Sequence, residues 1–334
     1  MLSIGSVSCS QGESRNGYIK VAELAYGGEV RVPVTVIRGA QEGPVLWINA
    51  AVHGEEVSGI FAILKLIKSI NSSDLKGTII ATPVCNPLAL KGMQKFTPED
   101  QLDMDQQFPG REGGWLSEQM AYHFFREVKK HASYMVDLHA LGSSYAAVPY
   151  TVYKNLSGVA AETLVKTEEM ALLMGLKANC RVDLSTAKGE LPGSLRGALD
   201  VQCLLNNIPA IMVELGAGGR VEWENVNRAV NGLQNILRYL RMLDGEPRRP
   251  SGQMIITERA FLNTRRGGLA VPEVQPGDEI AGNTPIARVL DFYGEERECL
   301  VSPGKAYVLG LRINPVVNSG EIIVGLGLKW EEVK

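Results

Sequence analysis

The chain has 334 residues, 45% of them hydrophobic, and a formal net charge of -3. That apolar content can fill a large core, and the length fits about two domains. The weak charge argues against a nucleic-acid partner, and no apolar run reaches the ~18 residues that a membrane span needs. Arg248-Arg249 and Arg265-Arg266 are isolated doublets, read as solvated loop charge. Five dispersed cysteines without a CxxC pair fit a reducing, cytoplasmic setting. Glu13 and its polar neighbours do not read as a signal peptide.

Taken in order, residues 18 to 38 alternate apolar and polar around Gly27-Gly28, which predicts a hairpin of Tyr18 to Ala25 and Glu29 to Ile37. Pro44 to Ala51 is a continuous apolar run, as in a strand buried on both faces. Val57, Ile60, Phe61, Leu64 and Ile67 then recur at helical spacing. Gly77 to Val84 predicts a second buried strand, and a long polar segment, Asn86 to Gly114, follows it. Beyond that come a helix over Leu116 to Lys130, a strand over Ser133 to Leu138, and a helix over Ala160 to Met174. Ile208 to Val213 predicts another strand and Val221 to Leu243 a long helix.

This alternation predicts an α/β fold with a mixed, mostly parallel sheet flanked by helices. From Gly245 to Gly252 the text turns to glycine, proline and arginine, the composition of a linker. After it, short apolar runs are separated by turn signals such as Pro276-Gly277-Asp278 and Asn318-Ser319-Gly320. The expected organisation is therefore a catalytic α/β domain over residues 1–246 and a small all-β, barrel-like domain over 250–334.

Three predicted strands end in metal-type side chains: His53-Gly54-Glu55-Glu56, Asp137-Leu138-His139 and Glu214-Leu215-Gly216. In open α/β sheets, ligands bind beyond the carboxyl ends of the strands. Two histidines and a carboxylate are the common protein ligands of a catalytic zinc, and a further carboxylate can serve as general base. His53 and Glu56 sit at the predicted mouth of a helix, where residues three apart share a face. Glu55 is an alternative ligand by type, or a charge that offsets the helix dipole. Gly54 is read as the point where the backbone turns sharply. Asp137, two residues before His139 on the same strand face, is expected to orient one of the histidines by accepting its second N–H. His123 and His131 read as structural, in or beside a helix.

These motifs, together with Asn86-Pro87, Phe108-Pro109-Gly110 and the glycine-punctuated run from Gly277 to Val289, resemble the succinylglutamate desuccinylase/aspartoacylase family. That family is a branch of the zinc carboxypeptidase-like fold, and the resemblance covers nearly the whole chain. It implies one Zn2+ per chain held by His53, Glu56 and His139, with Glu214 passing a proton from water to the leaving amine. The implied reaction is hydrolysis of a small N-acyl substrate, and the implied C-terminal part is a lipoyl-like barrel. Lys305 sits at a Pro-Gly turn of that part, without the flanking residues of an attachment site.

One segment departs from the family. Where members carry an arginine that helps polarise the scissile carbonyl, this chain has Lys95; where they carry Asn-Arg, it has Asp105-Gln106. A guanidinium fork that grips carboxylate is lost and an anion stands beside its place. The expected substrate therefore lacks the usual carboxylate near the amide, with Lys95 polarising the carbonyl and Asp105 and Gln106 in substrate contact. Asp105 either meets an ammonium or hydroxyl group of substrate or pairs with Lys95. Arg196 is a candidate for an anionic group elsewhere in the pocket, or a surface arginine. A metallocarboxypeptidase and a non-catalytic binding protein on the same fold are the alternatives, and a homo-oligomer is left open.

Overall fold

The computed structural model describes residues 1–185 and 195–333. A short hairpin of β1 (Leu2–Ile4) and β2 (Val7–Cys9) precedes the long hairpin of β3 (Ser14–Glu23) and β4 (Glu29–Arg38). Then come β5 (Gln41–Ala50), α1 (Ser58–Ser69), β6 (Lys76–Thr82), α2 (Pro87–Gly92), α3 (Leu116–His131) and β7 (Tyr134–Leu141). β8 (Tyr145–Ala147), β9 (Pro149–Asn155), α4 (Ala161–Leu173), β10 (Ala178–Asp183), α5 (Leu199–Leu205), β11 (Ala210–Ala217) and α6 (Trp223–Tyr239) complete the first part. The rest is strand: β12 (Met254–Asn263), β13 (Gly268–Pro272), β14 (Glu279–Ile280), β15 (Pro285–Leu290) and β16 (Glu296–Val301). It ends with β17 (Ala306–Arg312), β18 (Val316–Val317) and β19 (Ile322–Glu332).

A 13-stranded sheet runs β14-β17-β19-β12-β10-β9-β11-β7-β5-β6-β4-β3, with β8 attached to β17. Its centre is parallel, β11 on β7, β7 on β5 and β5 on β6. β9 against β11 is antiparallel, as are the hairpins at both edges, so the sheet is mixed and parallel only in its middle ladders. β9 and β10 went unforeseen, because Pro149, Lys154 and Asn155 in one and Asn179, Arg181 and Asp183 in the other break the apolar pattern of buried strands.

The helices fall on both faces, as a sheet with apolar side chains on each side demands. α1, α4 and α6 pack on Leu46, Ile48, Val136, Leu138, Ile211 and Val213. α3 and α5 cover Trp47, Ile80, Met135 and Ala210 on the other face. The strands after β12 carry a core of their own, built on Ile286, Val289, Val308, Val324 and Leu326. Hydrogen bonding is nevertheless continuous into the main sheet, since β12 pairs in parallel with β10.

Candidate metal centre and active site

His53 and Glu56 lie in the turn between β5 and α1, one step short of the helix. A turn bond from Glu56 N to His53 O (3.2 Å) supplies the i, i+3 proximity expected of helical geometry. The left-handed residue of this turn is Ala51, φ 52°, a strained backbone for a residue with a Cβ. Gly54 answers a different need from the one expected: a side chain there would collide with the backbone of Ala89 in α2. Its N–H is used as well, donating to Gln94 O at 2.9 Å.

β7 carries His139, and β11 places Glu214 directly beside it in register. His53 Nδ1 lies 2.8 Å from Glu56 Oε1, and His139 Nδ1 lies 3.0 Å from Glu56 Oε2. Each imidazole is held from behind by its own aspartate: His139 Nε2 donates to Asp137 Oδ2 at 3.1 Å, and His53 Nε2 to Asp103 Oδ1 at 2.9 Å. Asp137 is the residue expected in this role; Asp103, fifty residues from His53 in sequence, is its unforeseen counterpart. Asp137 is itself fixed by a buried relay, in which Trp47 Nε1 donates to Thr82, Thr82 to Asn49 and Asn49 Nδ2 to Asp137 Oδ1 at 2.8 Å.

The ligand atoms of His53, Glu56 and His139 lie within 4.8 Å of one another, all buried. Both Nδ1 atoms turn inward on one carboxylate while both Nε2 protons are committed elsewhere, the donor set and tautomer of a two-histidine, one-carboxylate zinc site. These residues therefore fit the metal. Electrostatics agree: burial alone would lower His53, but the Glu56 and Asp103 charges outweigh it and raise it to about 10. The same balance raises His139 well above its ordinary value through Asp137 and Glu56. Two strongly cation-seeking imidazoles around one carboxylate mark a point of high negative potential. Asp105, Asp137 and His139 form a second tight group, but Asp137 Oδ2 is already spent on His139.

Glu214 is the unusual carboxylate. Its buried Oε2 has no hydrogen-bond partner among the described residues. Burial first, and the Glu56 charge second, push it up to about 7. A base poised near neutrality with a free oxygen is ready to take a proton.

The polar segment after α2 is tied down. Asn86 Nδ2 and Ser117 Oγ both donate to Thr97, and Ser117 N donates to Asp100 at 2.7 Å. This brings Lys95, 44% exposed, to Asp103 Oδ2 at 3.1 Å. The pairing weighed between Lys95 and Asp105 is thus not the one formed. Asp105, expected in contact with substrate or with Lys95, faces inward: it is 9% exposed and its Oδ1 accepts the amide of Leu199 at the start of α5 (3.2 Å). Burial raises it to about 7. Gln106 Nε2 reaches Asp103 Oδ2 at 3.3 Å. Gly197 packs so closely on Gln106 that no side chain fits there, which sets Arg196, exposed on the short turn Leu195–Gly197, next to Gln106. His131 pairs with Glu127 away from the site.

One edge of a mixed α/β sheet thus gathers two histidines and two glutamates with their aspartate supports, three of them in a group that could hold a metal ion. Residues 42–240 match the succinylglutamate desuccinylase/aspartoacylase catalytic domain, and the chain belongs to that family. An N-alpha-acetyl-L-2,4-diaminobutyric acid deacetylase of Halomonas elongata is 26% identical over 292 residues, 83% of this chain and 80% of that one. Among solved structures, the product-bound ectoine utilization protein EutE (DoeB) from Ruegeria pomeroyi superposes with a TM-score of 0.87 at 21% identity, covering 97% of this chain and 98% of that one. A succinylglutamate desuccinylase/aspartoacylase from Rhodobacter sphaeroides gives 0.85 at 21% identity over 99% of both chains. The chain is thus of the N-acyl amidohydrolase kind. No helix among the described residues is long and apolar enough to cross a membrane.

Proposed function

We propose that the protein is a zinc-dependent deacylase that hydrolyses a small N-acyl substrate lacking the usual carboxylate beside the scissile amide. The observation that carries the reading is the convergence of both Nδ1 atoms on Glu56, with the unpartnered carboxylate of Glu214 one strand away. Zinc held by His53, Glu56 and His139 would supply Lewis-acid polarisation of the carbonyl and a more acidic water. Asp103 and Asp137 hold the histidine protons on Nε2, which would leave the Nδ1 lone pairs available to a metal. Lys95, held by Asp103, offers a point charge to the carbonyl oxygen. Glu214 takes a proton from water and returns it to the departing nitrogen.

Gln106 stands where relatives carry the carboxylate-binding arginine, so the guanidinium fork that would grip an anion there is absent. Arg196, on the neighbouring turn, is a cation placed to receive an anionic group further from the amide. The substrate named for the Halomonas relative is an acetylated diamino acid, with a free amine and a carboxylate. The decisive screen therefore pairs acylated diamines with the matching acylated diamino acids and follows amine release by zinc-loaded protein. Preference for substrates without the carboxylate supports the specificity; preference for the acids refutes it; no amine release from any of them refutes the deacylase. Four buried free cysteines favour a reducing, cytoplasmic setting.

A further inference from the structure

Three adjacent strands set a row of side chains on one face of the sheet at the site. His139 on β7 is in register with Glu214 on β11, and Glu214 is directly opposite Tyr150 on β9. Directly opposed residues of an antiparallel pair share a face, with Cβ atoms about 4.5–5.5 Å apart. Tyr150 is 4% exposed, and its ring packs in a cluster with Val152, Met254 and Ile256. Among the described residues no hydrogen bond engages its hydroxyl, and that oxygen is not one of the buried unpartnered atoms, so it is left open to a further partner. Its neighbour Glu214 has a buried oxygen without a partner among the described residues. Burial, and then the charge of Glu214, raise the phenol well above its ordinary value, with Glu56 acting in the same sense. The hydroxyl therefore lies in the field of both active-site glutamates and stays neutral.

The register sets a hydroxyl without a protein partner beside the free carboxylate oxygen of Glu214, where one ligand group can meet both. Glu214 stands between His139 and Tyr150 in this row, so an amide whose carbonyl pointed toward His139 and Lys95 would bring its nitrogen near Glu214 and its N–H to the Tyr150 side. We infer that Tyr150 is a catalytic residue whose hydroxyl oxygen accepts the N–H of the scissile amide and turns the nitrogen lone pair toward Glu214. The proton balance is simple. Water adds to the carbonyl carbon and gives a proton to Glu214; Glu214 delivers it to the nitrogen as the C–N bond breaks; the original N–H stays on nitrogen, and Tyr150 keeps its own proton. The chain thereby selects amides that bear an N–H over esters and over N-alkylated amides.

The test rests on the deacylase reading and uses the zinc-loaded full chain. Tyr150→Phe removes only the hydroxyl and keeps the ring's packing. The inference expects kcat/KM for the best N-acyl substrate to fall about 10- to 100-fold, as loss of one transition-state hydrogen bond implies. The ester of the same skeleton should change by no more than about twofold, because its oxygen has no N–H to offer. Zinc content should not change. An equal fall for amide and ester would make Tyr150 a packing residue, and no fall for either would remove it from the reaction; both overturn the inference. The wild-type enzyme gives a second check that needs no variant. It should reject the N-methylated substrate, and turnover of that tertiary amide at the rate of the secondary one would also overturn the proposal. Wild-type protein inactive on every acyl substrate would instead defeat the deacylase reading itself.

Discussion

Replacing Glu214 with glutamine sets function against stability at one position. The carboxylate is raised from 4.5 to about 7, by burial and by the Glu56 charge. A group whose folded pKa lies above its unfolded value binds more protons in the folded state between those values. Its contribution to stability is therefore lost as the pH rises from about 4.5 through about 7. At pH 8 the metal-free protein carries nearly the full cost, about 3 kcal/mol. Glu214→Gln removes that charge at nearly constant shape. Urea unfolding of the metal-free proteins should find the variant more stable by up to about 3 kcal/mol at pH 8, with the advantage shrinking toward pH 5. The same change should lower kcat by about 10²- to 10⁴-fold while zinc content is retained. A variant no more stable than wild type at pH 8, or one that keeps its activity, would refute the reasoning.

Asp103→Asn takes the carboxylate from behind His53, and zinc affinity measured by chelator competition should fall about 10- to 100-fold. Lys95→Met should lower kcat about 100-fold with zinc content unchanged, if the ammonium acts on the carbonyl oxygen. Lys154 binds both oxygens of the fully buried Asp200 at 2.6 Å, tying β9 to α5. Lys154→Met leaves that charge alone and should cost about 3–5 kcal/mol in urea unfolding, much of which the added change Asp200→Leu should restore. In the pH–rate profile, activity should be lost on the acid side as Glu214 takes up its proton, with a midpoint at or below pH 7, since a bound cation lowers it further.

The metal-type residues were legible because each belongs to a local pattern. An apolar run followed by His53-Gly54-Glu55-Glu56, by His139 or by Glu214 marks a strand end, and strand ends in an open α/β sheet share an edge. Asp137 was legible through the two-residue period of its own strand. Asp103 was not, because its role comes from a polar loop pinned by Asp100, Thr97 and Ser117, and no periodicity encodes that folding-back. The backbone partner of Asp105 was hidden for the same reason: Leu199 is 94 residues away and opens a short helix that has no strong pattern. Tyr150 stayed hidden because β9 went unforeseen, and only the antiparallel register of β9 on β11 sets it against Glu214. The change of composition near residue 250 was visible, whereas the bonding of β12 to β10 across it depends on a strand that the sequence pattern conceals.

The most direct test is metal analysis of the purified protein, wild type beside His53→Ala and His139→Ala, after incubation with zinc and removal of the excess. The convergence of both Nδ1 atoms on Glu56 predicts about one zinc per wild-type chain and strong loss from each variant. Wild-type protein that takes up no zinc, or variants that keep it, would contradict the three-ligand centre on which the proposed chemistry stands.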